Sequence, residues 1–586
     1  MDNRRLLVAA VLSVAILLVW QALFPPPKPM PQAPPASVAT SSPAAPVTPG
    51  AAPSPAPAPA AAPAADAPAD AAPIVATAPE QVVLENDLVR AEFSNRGAQL
   101  VSLQLKEKSA EDGSPLELVQ RRLATPHPFA LMTPEGAAHP LDAALFTIER
   151  QGGAEPSVVF RYRGAEGSAE KRFRLRGNGG LDFDVRVERS ETAWRLLLGP
   201  GIRVRKQEEL DNRFNKRAAA WSLGGKVEAT DVKGLAEPRV LPGPGLRWIG
   251  LEDTYFLSAL LPASGVAEAR VEPVLLMPAG SDGRTFDARA LVAGEELGPE
   301  EKKLPHDLRV LLVPSGTEMR GASFWGAKQY DRLIAFGGGL EESVRWGWLG
   351  FLARPLLRAL QWIHAHITTN YGWGIVLLTT ALKILLLPLS LSAFKSMRKM
   401  QQLNPKMQSI RERYRPKLRD KQGRYNADAQ RQMNEEIMGL YRAEGVNPAG
   451  GCFPIVVQLP IFFAFYQLLS TAVELWRSPW AFWIHDLTGP DPYWVLPIVM
   501  GLSQVVQQRM TPPPPDPIQR RMIQAMPIVF TIFSLGFPVG LVLYWLTNNI
   551  LSIGQQAIYN SIRERAEHAA GPEKPAASGK RGRKGS

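Results

Sequence analysis

Apolar residues run along this chain in three rhythms. After a start carrying Arg4 and Arg5, residues 6–24 are almost wholly apolar and are stopped by Pro25, Pro26 and Pro27. Between 81 and 335 the pattern changes to alternation. Leu181, Phe183, Val185 and Val187 are interleaved with Asp182, Asp184, Arg186 and Glu188, and Phe173 and Leu175 alternate with basic residues. Period two predicts half-buried strands, and Asn178-Gly179-Gly180 predicts a hairpin turn between two of them. Val158, Phe160 and Tyr162 predict a further strand. The expectation for 81–335 is a large antiparallel sandwich.

The third rhythm occupies the last third, where long apolar runs return. Residues 370–392, 453–473, 493–509, 522–537 and 539–556 each read as a membrane span, the last two forming a hairpin around Phe537-Pro538-Val539-Gly540. Residues 1–24 read as the first span. Its nineteen-residue apolar run reaches roughly 28 Å, close to the hydrocarbon thickness of a bilayer. A cleaved signal peptide is the alternative, but no small-x-small cleavage pattern precedes the prolines. Residues 25–80 are Pro/Ala-rich and read as an extended linker that buries nothing. Residues 346–367 are apolar and aromatic but carry Arg354, Arg358, His364 and His366. They predict an amphipathic helix lying in the membrane interface, the alternative being a helix packed on the sandwich.

Charge orients this arrangement. The 586 residues carry a net charge of +11. Residues 395–445 hold thirteen Lys/Arg against six Asp/Glu. Arg509, Arg520 and Arg521 follow the fourth span, and the tail 560–586 ends in a basic cluster from Lys580. Basic loops stay cytoplasmic, so six spans put both termini in the cytoplasm and the sandwich in the periplasm. Residues 395–446 show two helical stripes, Met397, Met400, Leu403, Met407 and Ile410, then Met433, Ile437, Leu440 and Tyr441. They predict a cytoplasmic helical hairpin with thin apolar faces. The basic tail is a candidate ribosome contact, and no base-reading motif points to DNA. With one cysteine, Cys452, no disulfide forms within the chain.

Candidate chemistry lies within the apolar runs. Lys383 stands thirteen residues after Asn370 and twelve before Lys395, which on a straight helix is near mid-depth. A lysine there costs about 2.5–3.5 kcal/mol on insertion scales, so it faces a wet cavity or a partner, or else snorkels to the interface. Thr379, Gln458, Gln504, Gln507, Asn548, Asn549 and Gln555 are the other polar candidates. Each alone can make an interhelical hydrogen bond, and together they can line one hydrated groove. A solitary cation in such a groove attracts an anionic segment. No P-loop, HExxH, GxSxG or paired Cys/His spacing occurs, so no covalent chemistry, metal or cofactor is expected. A secondary transporter would show repeated halves, which are absent, and an anchored periplasmic binding or scaffold protein is the other rival.

The segments NYGWGIVLLTT from Asn370, MRKMQQLNPKMQSIRERY from Met397 and LYRAEGVNPAGGCFPIVVQLPIFFAFYQLL from Leu440 closely resemble the YidC insertase family. WAFWIHDLTGPDPYWVLPIVMG and FPVGLVLYWLTNN continue the match. The resemblance implies a polytopic helical insertase core, with a periplasmic β-supersandwich in the Gram-negative form. It implies an inner-membrane location, nascent membrane proteins as substrates, and work alone or with the Sec translocon and its accessory subunits. It implies a groove whose cation corresponds to Lys383, where most of the family carries arginine. A lysine keeps the charge and loses the bidentate fork. By position, Thr379, Gln458, Tyr544 and Trp545 match groove or substrate-contact positions.

Overall fold

The computed structural model describes residues 72–110, 113–120, 126–203, 217–232, 238–278, 286–290, 297–419, 426–446, 453–511 and 517–570. The expected anchor 1–24, nearly all of the linker 25–80 and the basic cluster from Lys580 lie outside the described residues.

From Gln81 to Ala327 strand is the dominant element of the described chain, and every strand pair is antiparallel. Alternation does what the sequence predicts. In the strand Leu181–Glu188 the apolar positions are buried and the Asp and Arg positions lie partly or fully in solvent. Gly179 closes the turn to the preceding strand Gly167–Leu175 at φ +81°, a conformation that favours glycine. These two strands belong to a nine-stranded sheet, which faces sheets of six and four strands. Between them Phe93 and Phe173 stack at 4.6 Å and Phe129 meets Phe173 edge-on at 5.0 Å.

Two charged groups are sealed inside this apolar core. Lys171 Nζ donates to the carbonyls of Gly97 and Phe129 (2.8 Å to the latter). Asp142 accepts from Gln99 Nε2 at 2.8 Å and from the Leu131 amide at 3.1 Å. Burial pushes the Asp142 carboxyl up to about 6 and the Lys171 ammonium down to about 8. A third group, Arg203, pairs with Asp253 at 2.7 Å, both almost without exposure. Its guanidinium lies 5.7 Å from the ring centres of Phe256 and Trp476. Val473 and Trp476, from far along the chain, are members of the β core.

Helices follow the strands: α1 (Pro140–Ala143) within the β region, then α2 (Tyr330–Phe336), α3 (Gly350–His366), α4 (Tyr371–Leu385), α5 (Leu387–Tyr414), α6 (Ala427–Ala443), α7 (Phe453–Thr471), α8 (Val495–Met510), α9 (Pro517–Ser534) and α10 (Val539–Ala570). α3 buries Ala353, Leu356, Leu357, Leu360 and Ile363 in the core it shares with α4 and α7, and leaves Trp348 and Phe351 before and within it exposed. α5 and α6 form a separate hairpin closed by Met407, Ile410, Met433 and Ile437.

One expected span is not straight. The run 370–392 divides at Leu386, where α4 and the following segment Leu387–Lys417 are bent by 61°. Pro388 explains the break: it lacks the amide needed to continue the ladder and its ring collides with the preceding turn. Among the described residues no single helix is long and apolar enough to cross a membrane by itself, and this bent pair passes together. Exposed apolar residues nonetheless form rows along the helices. Val495, Ile498, Val499, Leu502 and Val506 follow one face of α8, and Met522, Met526, Val529 and Phe533 one face of α9. Contiguous apolar surface of this kind marks an interaction with lipid or partner.

Candidate functional site

Three helices converge on one small polar cavity. α4 contributes Thr379, Leu382 and Lys383, with Leu386 just past its end, positions three, four and seven apart on one face. α7 contributes Gln458 and Ile461, and α10 contributes Tyr544 and Asn548. It is a small cleft open on one side, with room for about one water molecule. Asn370 fixes the start of α4 by accepting from the Trp373 amide at 3.1 Å, an N-cap that sets where the helix face points.

Lys383 sits in the last turn of α4, three residues before the bend. Its Nζ donates to Ser552 Oγ at 2.8 Å, and that hydroxyl donates in turn to the Asn548 carbonyl at 2.7 Å. No Asp or Glu is among the eight residues lining the cavity. The ammonium is therefore held by a neutral hydroxyl on α10. Just beside it Ile384 and Leu385 are exposed, so the cation divides an apolar outer face from a polar inner one.

The remaining walls are fixed by hydrogen bonds and stacking. Thr379 is buried and its hydroxyl donates back to the Ile375 carbonyl at 2.7 Å. Gln458 donates from its side-chain amide to the Tyr544 hydroxyl. The Tyr544 ring stacks on Phe465 with centres 4.4 Å apart, and that contact keeps the phenol pointed at Gln458.

The structure brings together five of the residues singled out in the sequence: Lys383, Thr379, Gln458, Tyr544 and Asn548. It places the other five elsewhere, Gln507 on α8 and Gln555 on α10 both lying outside the cavity lining. Asn549 is buried and donates to Ser503 Oγ on α8 at 3.0 Å. Gln504 lies next to that contact on α8, outside the cavity lining. Trp545 packs edge-on against Phe530 at 4.1 Å and Phe462 at 4.7 Å. The reason is helical phase: Tyr544, Asn548 and Ser552 share one face of α10, and the residues one position on are turned by about 100° toward α8 and α9. Ser552 was missed, although its four-residue spacing from Asn548 was a readable signal. Asp486 Oδ1 accepts from the Arg477 amide and from both the amide and hydroxyl of Thr488, a loop-holding role.

A cavity with one cation, amide and phenol groups can hold an anionic or polar segment by charge and hydrogen bonds. Residues 362–566 match the family described as 60Kd inner membrane protein, and residues 81–359 match the YidC periplasmic domain. The chain is 35% identical to a membrane protein insertase YidC of Geobacter metallireducens, covering 96% of this chain and 99% of that protein. It is 33% identical to one of Syntrophus aciditrophicus, again over 96% and 99%. A solved structure titled as an active YidC insertase with its first transmembrane domain resolved covers 81% of this chain and 91% of its own, at 16% identity and a TM-score of 0.33.

Proposed function

The chain belongs to the YidC family of membrane protein insertases, with an antiparallel periplasmic β-sandwich domain, and from that premise we propose that it inserts nascent membrane proteins through the cavity around Lys383. The observation that carries the reading is a lysine ammonium in a polar cavity lined by no carboxylate, its nearest partner a serine hydroxyl at 2.8 Å. A cation so placed is available to an incoming anion.

A substrate's acidic or polar flank first meets the α5–α6 hairpin, then enters the cavity, drawn by Lys383. Thr379, Gln458, Tyr544 and Asn548 supply hydrogen-bonding groups along the way. Such groups lower the cost of taking polar chain through hydrocarbon, several kcal/mol per unsatisfied group. The substrate's apolar segment moves along the exposed apolar faces of α7 and its neighbours and partitions into lipid. Asn549 and Trp545 act behind the wall, tying α10 to α8 and α9, with Gln504 beside them on α8. No nucleotide or cofactor enters the scheme; the membrane potential helps draw acidic flanks outward.

In this reading the chain has six spans, including residues 1–24, with both termini in the cytoplasm. The bend at Leu386 supports a second span that turns at the cytoplasmic surface directly into the hairpin. The basic balance of 395–445 supports the same side. The Sec translocon and the ribosome are proposed partners, the latter through the basic tail. Removing residues 580–586 is expected to reduce ribosome co-sedimentation, and unchanged sedimentation would remove that contact. The central test is reconstitution: purified protein in liposomes, a small acidic-tailed substrate, and protease protection as readout. Protection no greater than in empty liposomes would refute the proposed insertion route.

A further inference from the structure

Between α7 and α8 the chain makes a closely bonded loop whose tip is aromatic and bare. Trp480-Ala481-Phe482-Trp483-Ile484 are five successive apolar residues. The Trp480 amide donates to the Ile484 carbonyl and the Ile484 amide to the Ala481 carbonyl, at 3.1 and 3.0 Å, closing a tight turn. Phe482 takes the first central position of that turn with φ +54° and is 87% exposed. That position with positive φ favours glycine or asparagine, and a bulky side chain there is strained.

The loop beneath is built to hold the tip in place. Ile484 and Leu487 are buried in the helical core. The Gly540 amide donates to the Leu487 carbonyl at 2.9 Å and the Val539 amide to the Gly489 carbonyl at 2.8 Å, tying the loop to the start of α10. Asp491 is buried and accepts from Trp483 Nε1 at 2.9 Å and from the Leu496 amide at 2.8 Å, fixing the entry to α8. A second strained aromatic, Trp494 at φ +57°, is 55% exposed there, beside Tyr493 at 66%. Trp373, at the start of α4, meets Trp480 edge-on at 5.7 Å.

These aromatics cap the starts of α4, α8 and α10 and the end of α7, so they lie at one end of the helical bundle. They continue directly into the exposed apolar rows, Trp373 into Leu377 on α4 and Trp494 into Val495, Ile498 and Val499 on α8. Aromatic side chains at the boundary between an apolar band and polar surface suit the headgroup level of a bilayer. Phe482, Tyr493 and Trp494 stay largely exposed, and a cluster of bare rings is unsuited to a surface left in water.

We infer that the loop 480–494 is a lipid-binding element, with Phe482 seated among phospholipid headgroups and upper acyl chains of the leaflet facing the β domain. It is a rigid interfacial anchor that fixes how deep this end of the bundle sits. The inference rests on the reading of the helices as membrane-embedded, and the test separates the two.

Cys452 is the chain's single cysteine, so a Cys452→Ser background accepts one spin label at a chosen site. Labels at Phe482→Cys, at Ile498→Cys on the apolar row and at Ala263→Cys, exposed on the β domain, are compared in phospholipid liposomes. Collision with oxygen, which concentrates in lipid, is measured against collision with a water-soluble nickel chelate. The Phe482 label is expected to show an oxygen-to-nickel ratio several-fold above that at Ala263 and below that at Ile498. A Phe482 label as nickel-accessible as Ala263, with Ile498 in lipid, overturns the anchor alone. A label shielded from both reagents overturns it in favour of a protein contact. Nickel access at Ile498 itself overturns the membrane reading of α8 and the anchor with it.

Discussion

Replacing Lys383 by alanine removes the only charge in the cavity lining, and the size of the effect follows from the site. A substrate carboxylate entering beside the Lys383–Ser552 contact approaches the ammonium to about 5 Å. Two unit charges at that distance interact by about 3 kcal/mol at an effective dielectric near 20, and by about 0.8 kcal/mol in bulk water. The cavity lies between these limits, so about 1–3 kcal/mol is lost, a slowing of roughly 5- to 150-fold. The perturbation to the fold is smaller. The substitution breaks one charged hydrogen bond and also relieves the desolvation of an ammonium, so the two terms oppose. The assay is insertion into proteoliposomes of two substrates that differ only in the flank, one acidic and one with its carboxylates replaced by amides. Lys383→Ala should slow the acidic substrate by that factor and the neutral one by less than about twofold. Lys383→Arg should keep the preference, because charge and not the fork geometry is at work. Equal slowing of both substrates by Lys383→Ala would mean that the lysine supports the wall and attracts nothing, and the electrostatic account would be wrong.

Three further outcomes follow. Ser552→Ala should slow the acidic substrate by less than Lys383→Ala, about two- to fivefold, since position is lost and charge is kept; substrate-specific insertion rates decide it. Asp253→Ala removes the carboxylate that pairs with the buried Arg203 and accepts from the Tyr255 and Phe256 amides, so it should destabilise the β domain by about 3–5 kcal/mol in urea unfolding. The β domain should also lose stability as pH rises from about 4 to 6. The folded carboxyl of Asp142 is raised from its ordinary value to about 6, so the folded state binds the proton more tightly and ionisation favours unfolding. Lys171, lowered to about 8, gives the opposite slope above that value, where deprotonation favours the folded form. Asp142→Asn should flatten the acid limb in urea titrations of the full chain, and an unchanged slope would contradict the assignment.

The sandwich was legible because burial on one side of a strand writes itself as alternation. The strand Leu181–Glu188 and its turn at Gly179 could be read directly. The bend after Lys383 could have been read too, since Pro388 stands in plain view inside the apolar run, but a hydropathy average passes over it. That bend is why counting residues from Asn370 and Lys395 gives a misleading sense of where Lys383 sits. The cavity was partly legible. Lysine, threonine, glutamine and asparagine in apolar runs are costly enough to demand a reason, and five of the ten positions singled out do meet. The separation of Asn548 from Asn549 depends on the rotation of α10 against its neighbours, which adjacent polar residues in sequence cannot express. The buried Lys171 was legible in position but not in kind: it falls in step with Ala169, Phe173 and Leu175 on the inward face, where a charge is not what alternation leads one to expect.

Val473 and Trp476 lie 146 and 149 residues beyond Ala327, the end of the last strand, yet they help fill the interior of the β domain. At about 5–20 residues per second, a ribosome needs roughly 7–30 seconds to synthesise that stretch. Until then the domain waits with Phe256 and Arg203 uncovered, although all its strands have been made. Its final closure is thus scheduled by the synthesis of α7 and the loop that follows it. The molecule's own biogenesis makes maturation of the β domain a late event, contingent on a distant stretch of chain having folded back onto it.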